Sequence, residues 1–195
     1  LTPTEVAAIS AEDVASLNSE QLGALDGAQI AAISTDAIQA ISNDVLSSLS
    51  VDDIFSLITS QISAMSAGQV GALTAAQVQA LSTDNVKTLS ADQVAALDPE
   101  DVAAMTDTQV SVLDTTQLRA FAPDQIQQLG VTQLASIDSA KFAKIEAEDF
   151  AALTGTQIQS LTTVQIANLS TSQLDSIQAD QLSNFSTAQI RALAV

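Results

Sequence analysis

The sequence predicts an all-α solenoid, a superhelix of 24 very short capped helical turns built on an eight-residue repeat. Three observations predict it. Large apolar residues fill the first and sixth positions of every octad, from Leu1 and Val6 through to Phe185 and Ile190, with no insertion or deletion in 24 complete octads. The second position is Ser, Thr, Asp or Asn in 19 octads, and the fifth is Gln in 15. Pro3, Pro99 and Pro123 all fall on the third position.

These positions spell a helix entrance. A Ser or Thr followed three residues later by Gln or Glu is a capping box, in which cap and N3 side chains each accept from the other's backbone N–H. In that frame the second position is the N-cap and the third is N1, where proline's fixed φ and missing N–H cost nothing. The first and sixth positions become N′ and N4, the pair that forms a hydrophobic staple. Charge placement agrees. Of the 23 acidic residues, 22 lie at positions two to five, beside the positive helix end, and Asp175 is the exception. Lys87, Arg119, Lys144 and Arg191 lie at positions seven or eight, near the negative end. The eighth position is Ala or Ser in 18 octads, small enough to let one helix end pass close to another.

Taken in order, the chain opens on LTPTEVAA, with Thr2 as cap, Pro3 at N1 and Glu5 closing the box. The box weakens at Ala37, Val45 and Ile58, while the apolar frame holds. Regular octads follow, among them LTAAQVQA at 73–80, LSADQVAA at 89–96 and LDPEDVAA at 97–104. In the last of these Asp98 is the cap and Asp101 stands in for Gln. A second weakening falls at Ala122, Gly130, Lys141 and Glu146, before the regular run LTGTQIQSLTTVQIANLSTSQLDS at 153–176.

Other architectures fail on geometry. In one continuous helix, eight residues advance about 800°, so an apolar stripe drifts ~80° per octad and forms no seam. In a β-strand, positions one and six point to opposite faces. Helical turns of five or six residues remain, and these need neighbours, since isolated helices shorter than ~12–15 residues are marginal.

Composition narrows the partners. A formal charge of −18 argues against nucleic acid, whose phosphates require clustered Lys and Arg, and against anionic membranes. There is no cysteine, hence no disulfide framework or thiolate chemistry. No apolar run approaches the ~18–20 residues of a membrane span. The chain begins on Leu1 in phase with the repeat, and neither end carries a polar capping repeat. The expectation is one array over 1–195, a segment of a longer array whose partners are the flanking domains of the same polypeptide.

The octads at 73–80 and 89–96 and the run at 153–176 resemble the L-[ST]-x-x-Q-[IV]-x-[AS] tandem repeats of very large proteobacterial surface or secreted proteins, often labelled adhesins, haemagglutinins or haem-utilisation proteins. The resemblance covers essentially the whole chain. It implies an extracellular or cell-surface location and a passive, extended role. The haem label does not transfer. Haem iron needs His, Cys, Met or Tyr; the chain has no His, Cys or Tyr, and Met65 and Met105 are first-position core residues. No cofactor is expected.

Few residues invite chemistry. Acidic pairs recur at Glu12-Asp13, Asp52-Asp53, Glu100-Asp101 and Glu148-Asp149. Calcium takes six to eight oxygens, yet there is no D-x-[DN]-x-[DN]-G loop. Solvated N2/N3 carboxylates facing the helix dipole are the simpler expectation, and no metal site is expected. Catalysis lacks a His, Cys or distinctive Lys beside those carboxylates, so no catalytic residue and no enzyme activity are expected. Val51, Phe55 and Ile58 are apolar at usually polar positions, which suggests either a contact patch or a local repacking in which Ile58 replaces the cap. Asn168-Leu-Ser170 and Asn184-Phe-Ser186 match the glycosylation sequon, but Ser170 and Ser186 already serve as caps. The expected function is a structural spacer or stalk. The alternative is an adhesion module that binds protein along an extended surface.

Overall fold

The computed structural model describes residues 1–193. It contains 24 helices among them, from α1 (Pro3–Ala7) to α24 (Thr187–Ala192), and every one begins on the third position of its octad. The local code explains the starts. Thr74 is extended at φ −75°, ψ 159°, and its hydroxyl accepts from Gln77 N while Gln77 Oε1 accepts from Thr74 N at 2.8 Å. The same reciprocal box forms at Asn18, Asp26, Ser66, Ser90, Thr106, Thr154 and Ser170. Where the second position is Ile58, Ala122, Gly130 or Gln178, half the box survives: the glutamine still accepts from the cap's N–H, at 2.5–3.1 Å. Glu146 caps with its backbone alone.

Exits are equally uniform. The first-position N–H of the next octad bonds the sixth-position carbonyl three residues back, as in Ile33 N to Ile30 O at 3.1 Å, which tightens the last turn. The chain then runs extended into the next cap, so no residue among those described takes positive φ and no left-handed exit is used.

Two compact units result, Leu1–Ala104 and Met105–Val195. Within the first, each helix packs against the helix three places on, from α1 against α4 (Gly27–Ala32) to α10 (Ala75–Ala80) against α13 (Pro99–Ala104). Within the second the same rule runs from α14 (Asp107–Val112) against α17 (Val131–Ser136) to α21 (Thr163–Ala167) against α24. Each unit is a solenoid in which helices three octads apart stack and inter-turn hydrogen bonds join residues 28 and 31 apart. Those offsets are invisible in the sequence, because every octad presents the same residues at the same places.

The first and sixth positions form the core, and they face opposite ways. Sixth-position residues are buried from Val6 through Ile166, whereas Leu174, Leu182 and Ile190, with no following turn, are 40–47% exposed. First-position residues are buried from Ile33 through Leu169, whereas Leu1, with no preceding turn, is 74% exposed. The sixth position therefore packs onto the turn after it and the first onto the turn before. Met65 and Met105 lie in this core, each 4% exposed. Phe142 and Phe150 meet edge to face there, 6.2 Å between centroids.

Candidate functional site

The polar feature that organises the molecule is the column of fifth-position side chains. Sequence reasoning assigns these glutamines to capping alone, which uses only the amide oxygen. Folding brings the following ones back to the turn below, where carbonyls at a helix exit accept from them. Gln61 Nε2 donates to Ile30 O and Ile33 O, both at 2.8 Å. Gln69 and Gln93 do the same to Ile38 and Ile41, and to Ile62 and Met65. In the second unit Gln157, Gln165, Gln173 and Gln189 repeat the pattern at offsets of 31 and 28 residues. Each amide thus joins its own helix entrance to two carbonyls at a single helix exit one turn earlier. Gln29, in the first full turn, donates to Leu1 O. A sequence signal does exist: Glu serves a capping box as well as Gln, yet position five holds Gln 15 times and Glu once. Only the amide has a donor to spare.

The irregular octads vary this theme. Lys141 occupies position five without closing a box, but its Nζ donates to Leu113 O at 2.8 Å and Ser111 O at 3.0 Å, taking over the glutamine's place. Asn85, one methylene shorter than Gln, reaches only Leu57 O, at 3.0 Å. Ala37 closes the column with a buried methyl.

The expectation that the acidic pairs are solvated needs correction at two of them. Asp13 is exposed, but Asp101 and Asp149 are buried, 5% and 4% exposed. Position five faces the preceding turn, which for Asp13 lies outside the described residues. Burial is the main cause that raises both carboxyls from the ordinary aspartate value to about 6. Nearby charges add to it, from Asp98 and Glu100 at Asp101 and from Glu148 and Glu146 at Asp149. At Asp101 the Asp98 N–H, 3.2 Å away, partly offsets the rise. Glu5 moves the other way, lowered by the N–H and hydroxyl of Thr2.

Among the described residues no group of three or more His, Cys, Asp or Glu is placed to hold a metal. No helix among them is long and apolar enough to cross a membrane. An open cleft is lined by Arg119, Lys144, Glu146, Ser170 and Ser172, but Glu146 already pairs with Arg119 at 2.5 Å. Val51 and Phe55 lie one helical turn apart on α7 (Val51–Phe55), and Ile58 caps α8 (Thr59–Ala64). All three are solvent-exposed, at 44%, 64% and 46%, so the core does not repack to take them in. At the sequons, Asn168 Nδ2 donates to Val164 O and Asn184 Nδ2 to Asp180 O, both at 2.8 Å.

The ALTTAQ repeat family model matches residues 6–43, 46–83, 76–107, 94–131 and 142–177. This chain belongs to the ALTTAQ repeat family. Four of the five matched ALTTAQ segments begin on a sixth position. No curated protein matches the chain.

Proposed function

We propose that this chain is a structural spacer, a stalk segment of a large bacterial surface or secreted adhesin-like protein, holding other domains of the same polypeptide away from the cell. The observation that carries this reading is the use made of the polar side chains. The glutamines that recur most strictly are spent on joining one turn to the next, through bonds between residues 28 and 31 apart. Such a design ties each turn to the one before it. Net charge of −18 keeps neighbouring arrays apart in solution and repels phosphate backbones.

Scattering from this chain and from versions lengthened by eight and sixteen octads tests the spacer. A largest dimension that rises in proportion to octad number supports it, and one that stays constant removes it. Capture of one tight, stoichiometric partner by this segment alone also removes the pure spacer and favours the second reading, an adhesion module. What favours that reading is the exposure of Val51, Phe55 and Ile58, apolar side chains that a passive surface has no need to present.

A further inference from the structure

We propose that Asp101 and Asp149 are proton-dependent joints: when protonated, each carboxyl donates to a carbonyl of the preceding turn as Asn85 does, and when ionised it sets an acceptor against an acceptor. The array then grips its turns more tightly in mild acid than at neutral pH.

The geometry is that of the fifth-position column. The inter-turn bonds described above at that position are made by donors, either a glutamine or asparagine amide or the Lys141 ammonium. Asn85 shows the reach of a side chain of aspartate length, meeting the carbonyl 28 residues earlier at 3.0 Å. At the same 28-residue offset the first-position residue of the preceding turn is Leu73 for Asp101 and Phe121 for Asp149. Both aspartates are as deeply buried as the buried glutamines of the column, 4–5% exposed against 0–5%. A carboxylate is an acceptor only, whereas a carboxylic acid has one O–H to donate. Two of the four aspartates at position five, Asp13 and Asp53, are not buried and fall outside the proposal.

The surroundings favour the proton. On its own helix α13, Asp101 is flanked by Asp98 and Glu100, and α10, packed against it, carries no titratable side chain. On α19 (Ala147–Ala151) Asp149 is flanked by Glu146 and Glu148, the first of them neutralised by Arg119. The helices packed against α19 are α16 (Pro123–Gln128) and α22 (Thr171–Ser176), and they add Asp124 and Asp175. No cation on these packed helices offsets the buried charge.

The sign follows from linkage. A folded-state value near 6 lies above the unfolded value of 3.8, so the folded chain binds more protons between those limits. Stability therefore rises as pH falls from above 6 toward 4, and the penalty is fully present above 6.

The test uses the full chain and its Asp101→Asn, Asp149→Asn and doubly substituted forms, with Asp92→Asn as an exposed control of the same charge change. Unfolding in urea is measured at pH 7.5 and 4.5, and side-chain carboxyl carbons of the unsubstituted chain are titrated by NMR. At pH 7.5 each joint variant is expected to lower the unfolding constant by ~10- to 100-fold, given the shift of about two pKa units. At pH 4.5 that advantage shrinks, while the Asp92→Asn difference does not follow the same course. Two carboxyls titrating near 6 support the proposal. Parallel pH profiles for the double variant and the unsubstituted chain overturn it, as does titration of both carboxyls near 4. The NMR titration decides the matter without the variants if either fails to fold.

Discussion

Gln61 Nε2 lies 2.8 Å from the carbonyl oxygen of Ile30, a residue 31 positions earlier, while Gln61 Oε1 accepts from Ile58 N three positions earlier at 2.9 Å. One amide therefore ties a helix start to a helix end across a full turn of the solenoid. A helix of five or six residues leaves most of its backbone groups without intrahelical partners. This bond recruits the entrances and exits of different turns to satisfy one another.

Removing one such amide exposes the dependence. Gln157→Ala deletes bonds to Ile126 O and Leu129 O, both at 2.8 Å, and the bond from Thr154 N. The expected loss is about 1–3 kcal/mol, because Leu129 O stays buried without its donor, while Ile126 O keeps the bond from Leu129 N. Gln157→Glu keeps the capping half and reverses the other, so it is expected to cost more than alanine at pH 7. Urea unfolding of the two variants checks the order. An alanine variant less stable than the glutamate one contradicts the two-ended role.

Missing caps offer the opposite test. Ile58→Ser and Ala122→Ser place a hydroxyl where Gln61 and Gln125 already supply the return half of the box. Each is expected to stabilise by ~0.5–2 kcal/mol, read as a higher urea midpoint at unchanged slope.

Two glycines three residues apart are expected to respond with opposite signs. A Cβ on Gly71 would strike the backbone carbonyl of Ala96 in the next turn, whereas one on Gly68 finds its nearest neighbour, Asn43 Nδ2, 3.8 Å away. Gly71→Ala therefore forces the turns apart and destabilises. Gly68→Ala gains helix propensity, about 0.5–1 kcal/mol. Thermal melting of both variants separates the cases, and equal shifts contradict the close approach.

Lys141 should accept its commoner counterpart. Lys141→Gln restores an amide donor over Leu113 and Ser111 and is expected to change stability by less than about 1 kcal/mol. Lys141→Ala removes both bonds to partly buried carbonyls and is expected to cost about 1–3 kcal/mol. Urea midpoints that fall equally for both variants contradict the donor role.

The sequence carries the helix starts, the staple and the core without ambiguity, because each is decided within eight residues. Thr74 and Gln77, or Leu97 and Val102, are close enough in the chain to be read together. The second use of Gln77, toward Leu46 and Leu49, was not legible, since its partners lie 31 and 28 residues away and look like every other Leu in the frame. For the same reason Asp101 reads as a solvated helix-entrance carboxylate until folding lays it on the turn before. The exposed trio Val51, Phe55 and Ile58 was legible as a departure, because it breaks the local pattern.

The opposite facing of the first and sixth positions bears on how such a protein changes length. Each turn meets the one before it through first and fifth positions and the one after it through sixth positions and helix-exit carbonyls, and these surfaces are nearly the same in every octad. Gain or loss of eight codons therefore leaves every reading position in phase and merely reassigns which glutamine meets which carbonyl. A change of any other size throws the downstream frame out of step with the upstream one. Recombination between repeats can then set the reach of the polypeptide in increments of 24 nucleotides, with no new interface to evolve at each step.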